Sequence, residues 1–206
     1  MRYWNRILPG WRRLRVPVNI LPSRSVWTKS AVIVLTPLLD IAAGSILQAK
    51  EPGLAMLPGL YILIPPFVSQ AGALGGILAS RLSSKLQLGV ITARGRPEAP
   101  ALIDASLVVA FGLVIFAVIG VAAVALSDLF DRAHPDASVM IGGTMLAGIM
   151  LLPIVLAVGY YVAVVTSRFG LDPDNHSVPI ITSVMDLAGV ACVLSAMSLL
   201  GATVHG

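Results

Sequence analysis

Apolar residues in this chain come in long unbroken runs, not in the alternation of strands or the one-sided stripes of surface helices. Five runs stand out, at about residues 30–49, 56–80, 101–126, 138–166 and 178–204. Each is close to or above the roughly 20 residues that carry an α-helix across a bilayer. Polar and breaking residues collect between them. The pattern predicts an all-α integral membrane protein, with a five-helix domain over residues 30–204 after a basic segment at 1–29. No internal repeat, low-complexity tract or second domain interrupts it.

Composition supports that reading. The 206 residues are 57% hydrophobic and 12% charged, with a mean hydropathy of +0.90. Soluble domains carry about 25% charged residues, so an ordinary soluble fold is excluded. A pI near 9.6 would suit a nucleic-acid binder, but the cations sit in loops beside apolar runs, where they orient a membrane protein. Residues 1–29 hold six Arg and Lys29 with no acid, and the 81–100 loop holds Arg81, Lys85, Arg94 and Arg96 against Glu98. The loop with Asp128, Asp131, Arg132 and Asp136 is acidic. The bias places the N-terminus, the 81–100 loop and the 170–177 loop in the cytoplasm and the C-terminus outside, as in a multi-pass protein of the cell (plasma) membrane. The opening MRYWNRILPGWRRLR mixes Trp4 and Trp11 with arginines and reads as an interfacial anchor on anionic lipid. It shows no cleavable signal pattern, and the lone Cys192 says nothing about redox compartment.

Ionisable groups inside the runs are few. Asp40 follows Pro37 by three residues in the first run and reads as a packing residue beside carbonyls freed by the proline. Asp104 stands at the edge of the third and is expected to be hydrated. Asp186 falls about half-way along the last apolar segment, in GLDPDNHSVPIITSVMDLAGV. A carboxylate there is expensive and marks either an ion path or a hydrogen bond to a helix neighbour. Thr182 lies one turn earlier on the same face, Ser183 at i−3, and Gly189 at i+3 leaves room for water or another helix. Pro179 frees a carbonyl near the helix start. This face offers the oxygen donors that hard cations take.

In the second run, Pro65 and Pro66 precede two rows of small residues. Gly72, Gly76 and Ser80 form one; Ala71, Gly75 and Ala79 form the other. Such rows let helices pack closely and can equally wall a narrow pore, with Gln70 beside them. Asp172 and Asp174 either cap the following helix or form a vestibule that attracts cations. His176, His134 and His205 lack the partners a metal site needs.

The order GLDP, then a proline, a Thr-Ser pair and an Asp resembles the last membrane helix of MgtE-type divalent cation transporters. The proline-bent, glycine-rich second run, ending in LASRLSS, is similar to the branch that contains the eukaryotic solute-carrier relatives. The resemblance spans nearly all of residues 30–204. It implies a pore on a dimer axis, lined by the second and fifth helices of two subunits, with Asp186 holding a central Mg2+ and a Thr182 backbone carbonyl contributing. Eukaryotic relatives carry two copies of the unit in one chain, so a single copy implies a homodimer. Bacterial members have an Asn-rich second helix and an Asn two turns before the Asp; here AGALGGILAS and Val178 stand there, with fewer polar ligands at the cytoplasmic mouth. The large cytoplasmic sensor domains of those members have no counterpart here.

The expected function is a transporter or channel for a divalent cation, most naturally Mg2+, with no enzymatic activity and no nucleic-acid partner. Two alternatives belong to other classes. A metal-dependent lipid enzyme would need several carboxylates converging on one site, whereas these runs hold isolated acids. A non-transporting anchor subunit would bury Asp186 against a neighbouring helix, insensitive to ions.

Overall fold

The computed structural model describes residues 24–93, 95–169 and 173–201, with the side chains of 24–33, 35 and 173–175 outside the description. The interfacial anchor at residues 1–23, Arg94 and His205 therefore lie outside the described residues. Six α-helices and no strand occur among those described: α1 (Arg24–Ala49), α2 (Glu51–Met56), α3 (Gly59–Gln87), α4 (Ala99–Leu129), α5 (Ala137–Arg168) and α6 (Pro173–Leu199). Four of them, α3, α4, α5 and the 176–199 part of α6, are long and apolar enough to cross a membrane. Hydrocarbon leaves backbone N–H and C=O groups no partner but one another, so apolar runs of this length fold as helices.

The helices outrun the apolar runs that announce them. α3 continues through Arg81 and Lys85 because Leu82 and Ser83 remain buried on one face while the cations point outward or to partners. It stops where Gly89 adopts φ +71° and the Val90 N–H bonds the Lys85 carbonyl at 2.9 Å, a glycine-based C-terminal cap. α6 begins at Pro173, several residues before its apolar run, because a first-turn proline gives up an N–H that has no helical partner anyway. Pro65 and Pro66 lie within α3 without ending it. The short α2 was too brief to leave a periodic signal.

α3, α5 and α6 pack on one another, α4 lies across α3 and α5, and α1 packs chiefly on α6. At the centre the Phe67 and Phe116 rings stand 4.6 Å apart. A Cβ at Gly148 would overlap the Phe116 ring, so glycine is what lets α5 approach α4 there. At one end the Ala133 carbonyl accepts the Gly59 N–H at 2.9 Å. His134 Nε2 meets Asp128 Oδ1 at 2.9 Å, and that hydrogen bond holds the imidazole pKa above its ordinary value.

The basic end corrects one expectation. Asp104 is not hydrated; it is 1% exposed. Arg81 Nε and Nη2 reach its Oδ1 at 3.0 and 2.9 Å, and Lys85 Nζ reaches Oδ2 at 2.6 Å. Lys85 also donates to the Pro100 carbonyl at 2.7 Å. One carboxylate on α4 thus gathers two cations one turn apart on α3.

Asp104→Asn is expected to lower the thermal midpoint of the purified protein without loss of helicity. Hydrogen bonds to charged groups contribute about 1.5–3 kcal/mol. The loss should sit near the lower figure, because Arg81 is 54% exposed and can turn to water. Melting curves followed by circular dichroism check this, and an unshifted midpoint would mean the cluster holds nothing together.

Candidate functional site

Asp186 stands thirteen residues from either end of α6. At 1.5 Å per residue that is about 20 Å from each end, so the carboxylate sits at mid-span. Ile181 and Met185, on another face of α6, are fully buried. Asp186 and Thr182 are only partly covered by their own protomer.

Glycines fix what lies opposite. A Cβ at Gly72 of α3 would come within 3.3 Å of the Thr182 methyl, and one at Gly189 within 2.7 Å of Val68 Cγ1. Thr182 and Gly189 lie one turn before and after Asp186 on the same face. Asp186 is therefore held opposite the α3 turn between Val68 and Gly72. Ser69 and Gln70 occupy that turn, and both are exposed.

The two small-residue rows of α3 separate in role. Ala71, Gly75 and Ala79 are buried, and Gly75 closes on Ile181 of α6 while its carbonyl would lie 3.2 Å from a Cβ at Gly159 of α5. This row is a packing seam. The other row leaves the seam: Gly72 touches Thr182, Gly76 has no atom within 4 Å of a would-be Cβ, and Ser80 is exposed.

Thr182 Oγ1 donates to the Val178 and Pro179 carbonyls at 3.0 and 3.1 Å. Its proton is thus engaged locally, and its remaining lone pairs can only accept. Pro179 is partly exposed, one turn nearer the basic end. Ser183 is buried. His176 and Ser177 are buried as well, with Ser177 Oγ 3.5 Å from Thr166 Oγ1. Asp172 lies outside the described residues, as does the Asp174 side chain.

One acid was under-read in the sequence. Asp40 of α1 is exposed and lies within electrostatic reach of Asp186. Both acids fall near the middle of their apolar runs, and equal depth was the signal that could have paired them. Among the described residues no three His, Cys, Asp or Glu side chains converge as a metal cage. The arrangement instead presents sparse carboxylates with hydroxyl and carbonyl oxygens, which suits an ion that keeps most of its water.

These features define a polytopic helical membrane protein that keeps a carboxylate at mid-span on a half-open face. The family model of MgtE, a divalent cation transporter, matches residues 64–196, well over half of the 206 residues. The chain belongs to the MgtE divalent cation transporter family, a family of transporters and not of enzymes. The match takes in Asp186, Thr182 and both rows of α3, and leaves out α1 with Asp40. No curated protein shows significant similarity to the chain.

Gly189→Leu should force α6 off α3 and carry Asp186 with it, because Val68 is β-branched and cannot swing aside. Overpacking of this kind costs about 1–3 kcal/mol. Gly72→Ala, facing a looser 3.3 Å approach, should cost less. Parallel thermal melts test the order, and equal midpoints would contradict the close approach.

Proposed function

We propose that two copies of the chain form a pore for a largely hydrated divalent cation, with Mg2+ the preferred ion. α3 and α6 of each copy line it, and the paired Asp186 carboxylates hold the ion at mid-span. The observation that carries this reading is the half-open Asp186 opposite an exposed polar turn of α3. α4 turns Leu107, Phe111, Val114 and Val118 outward, a face made for lipid. α3 instead exposes Ser69, Gln70, Ala73 and Ser80 together with Ile77, and α1 exposes Asp40. Polar groups at that depth are costly against hydrocarbon. A second copy bringing the same face to a two-fold axis covers them and leaves water between.

Mg2+ sheds its water reluctantly and is commonly held by one or two carboxylates plus waters. One Asp186 per subunit meets that requirement without a closed cage. Thr182, able only to accept, takes hydrogen bonds from the ion's water shell. Gln70 and Ser69 face the same space from α3. Oxygen-only ligands disfavour softer metals. Entry follows the membrane potential, worth about 4.6 kcal/mol per 100 mV for a double charge, twice the single-charge figure. The positive-inside bias orients the basic end of the bundle toward the cytoplasm, with α1 as the first of five spans in the cell membrane. Asp172 and Asp174 then lie at the cytoplasmic entrance, where they raise the local cation concentration.

Asp186→Asn should reduce Mg2+ uptake into proteoliposomes by on the order of tenfold or more, since a charged ligand contributes about 1.5–3 kcal/mol and 1.4 kcal/mol is a factor of ten. Mg2+ should also raise the melting temperature of the wild type and not of the variant. Undiminished uptake by a well-folded variant would reject the site.

Gly76→Leu provides a cleaner probe of the pore wall, because a Cβ there has no atom of its own protomer within 4 Å. The expected outcome is an unchanged protomer fold with flux or dimer formation lost. Wild-type flux together with wild-type assembly would remove α3 from the pore.

A further inference from the structure

A cavity of about 240 Å3 opens on the flank of the bundle between α4 and α5, on the side of α3 and α5 away from α1. Leu78 and Leu82 of α3, both about 1% exposed, form its floor. Leu102, Ala157 and Tyr161 stand at its mouth and are exposed. Ala101, Ala105 and Ala157 are small where the two helices border the space.

Its position decides what can fill it. The mouth faces sideways from two membrane-spanning helices, so the medium beyond it is lipid. Apolar cavities do not retain water, which needs two to four polar partners. A flexible hydrocarbon chain satisfies both the shape and the lining. The upper end of the cavity reaches Pro97 and Tyr160, which lie where the α3–α4 loop begins α4 and where α5 nears its end. Pro97 stands between Arg96 and Glu98 in the chain, which places the cavity's upper end beside a charged layer.

Among the described residues that layer is cationic on balance. Arg96 precedes Pro97 and is exposed; Arg168 is exposed too and reaches the same loop, its Nε donating to the carbonyl of Ala93, three residues before Arg96, at 2.9 Å. Among the described residues the carboxylates close by are already engaged: Glu98 accepts from the Thr92 N–H and hydroxyl, and Asp104 is held by Arg81 and Lys85. Basic pockets between membrane helices at an interface select anionic headgroups, and tyrosines favour the same depth.

The geometry points to a structural lipid site: the cleft takes one acyl chain of an anionic phospholipid from the adjoining leaflet, and Arg96 with Arg168 draws its phosphate. The site lies on the opposite flank from the α1–α6 face that carries Asp186, and it stands independently of the ion pathway.

The test uses the full chain in nanodiscs of phosphatidylcholine alone or mixed with phosphatidylglycerol, read by native mass spectrometry and thermal melting. Wild type should retain phosphatidylglycerol in preference to phosphatidylcholine and melt higher in the mixed discs. Ala157→Trp, which plugs the exposed mouth and leaves the buried floor alone, should lose the retained lipid and the melting difference while keeping its helicity. Arg96→Gln should still hold a lipid but lose about fivefold of its preference for the anionic one, the factor equivalent to about 1 kcal/mol per surface cation. Equal retention of both lipids by wild type would overturn the headgroup assignment. Undiminished retention by Ala157→Trp would overturn the cleft. Equal stabilisation by free glycerol phosphate would make the site a soluble-anion site and overturn the lipid.

Discussion

The close approach of α3 and α6 is the constraint on which the site depends. Between lipid tails there is no hydrophobic drive to bring helices together, so association rests on van der Waals contact and on how near the backbones can come. Gly72, Gly75 and Gly189 supply that nearness by having nothing where Thr182, Ile181 and Val68 must be. The result is a register as well as an attachment. Asp186 faces one particular turn of α3, and a carboxylate at mid-span is kept at a fixed depth and azimuth instead of wandering toward a headgroup.

The two ends of the bundle are held by different chemistry. At the basic end a carboxylate with no exposed side-chain surface gathers Arg81 and Lys85, and Lys85 adds the Pro100 carbonyl. Buried ion pairs contribute less to stability than their Coulomb energy suggests, because desolvation offsets much of it. What this cluster supplies is pairing: only one alignment of α4 on α3 satisfies Asp104. At the other end a backbone hydrogen bond to Gly59 and the His134–Asp128 contact seat the α4–α5 loop. The charges that align α4 on α3 are thus kept away from the mid-span acids Asp40 and Asp186.

Much of this was legible in the sequence, for physical reasons. Long apolar runs allow only helices, so the existence of α3 to α6 followed from length and composition, and the family followed from the Asp186 segment and the α3 glycines. Boundaries were less legible, because α3 runs on into charged residues and α6 starts in a polar loop; helices end where caps end them, not where hydropathy falls. Asp104 was misread because its partners lie on another helix, more than a helix-turn away in sequence, so its edge position looked solvated. The two small-residue rows looked equivalent by spacing alone, and only the azimuth of α6 distinguishes the packing seam from the open row. Asp40 looked isolated for the same reason: its neighbour in space is near the far end of the chain.

That last pairing bears on how the protein is made. Among the described helices α1 comes first in the chain, and its chief packing partner, α6, comes last. At the usual rates of chain elongation, roughly 5–20 residues per second, α1 waits on the order of ten seconds or more with Asp40 lacking its native surroundings. Biogenesis therefore has to shelter α1 and its acid, at the edge of the insertion machinery or against another polypeptide, until α6 has been made. The bundle of α3, α4 and α5 can assemble in the meantime, and the face that carries Asp186 is completed only when α6 slots in between.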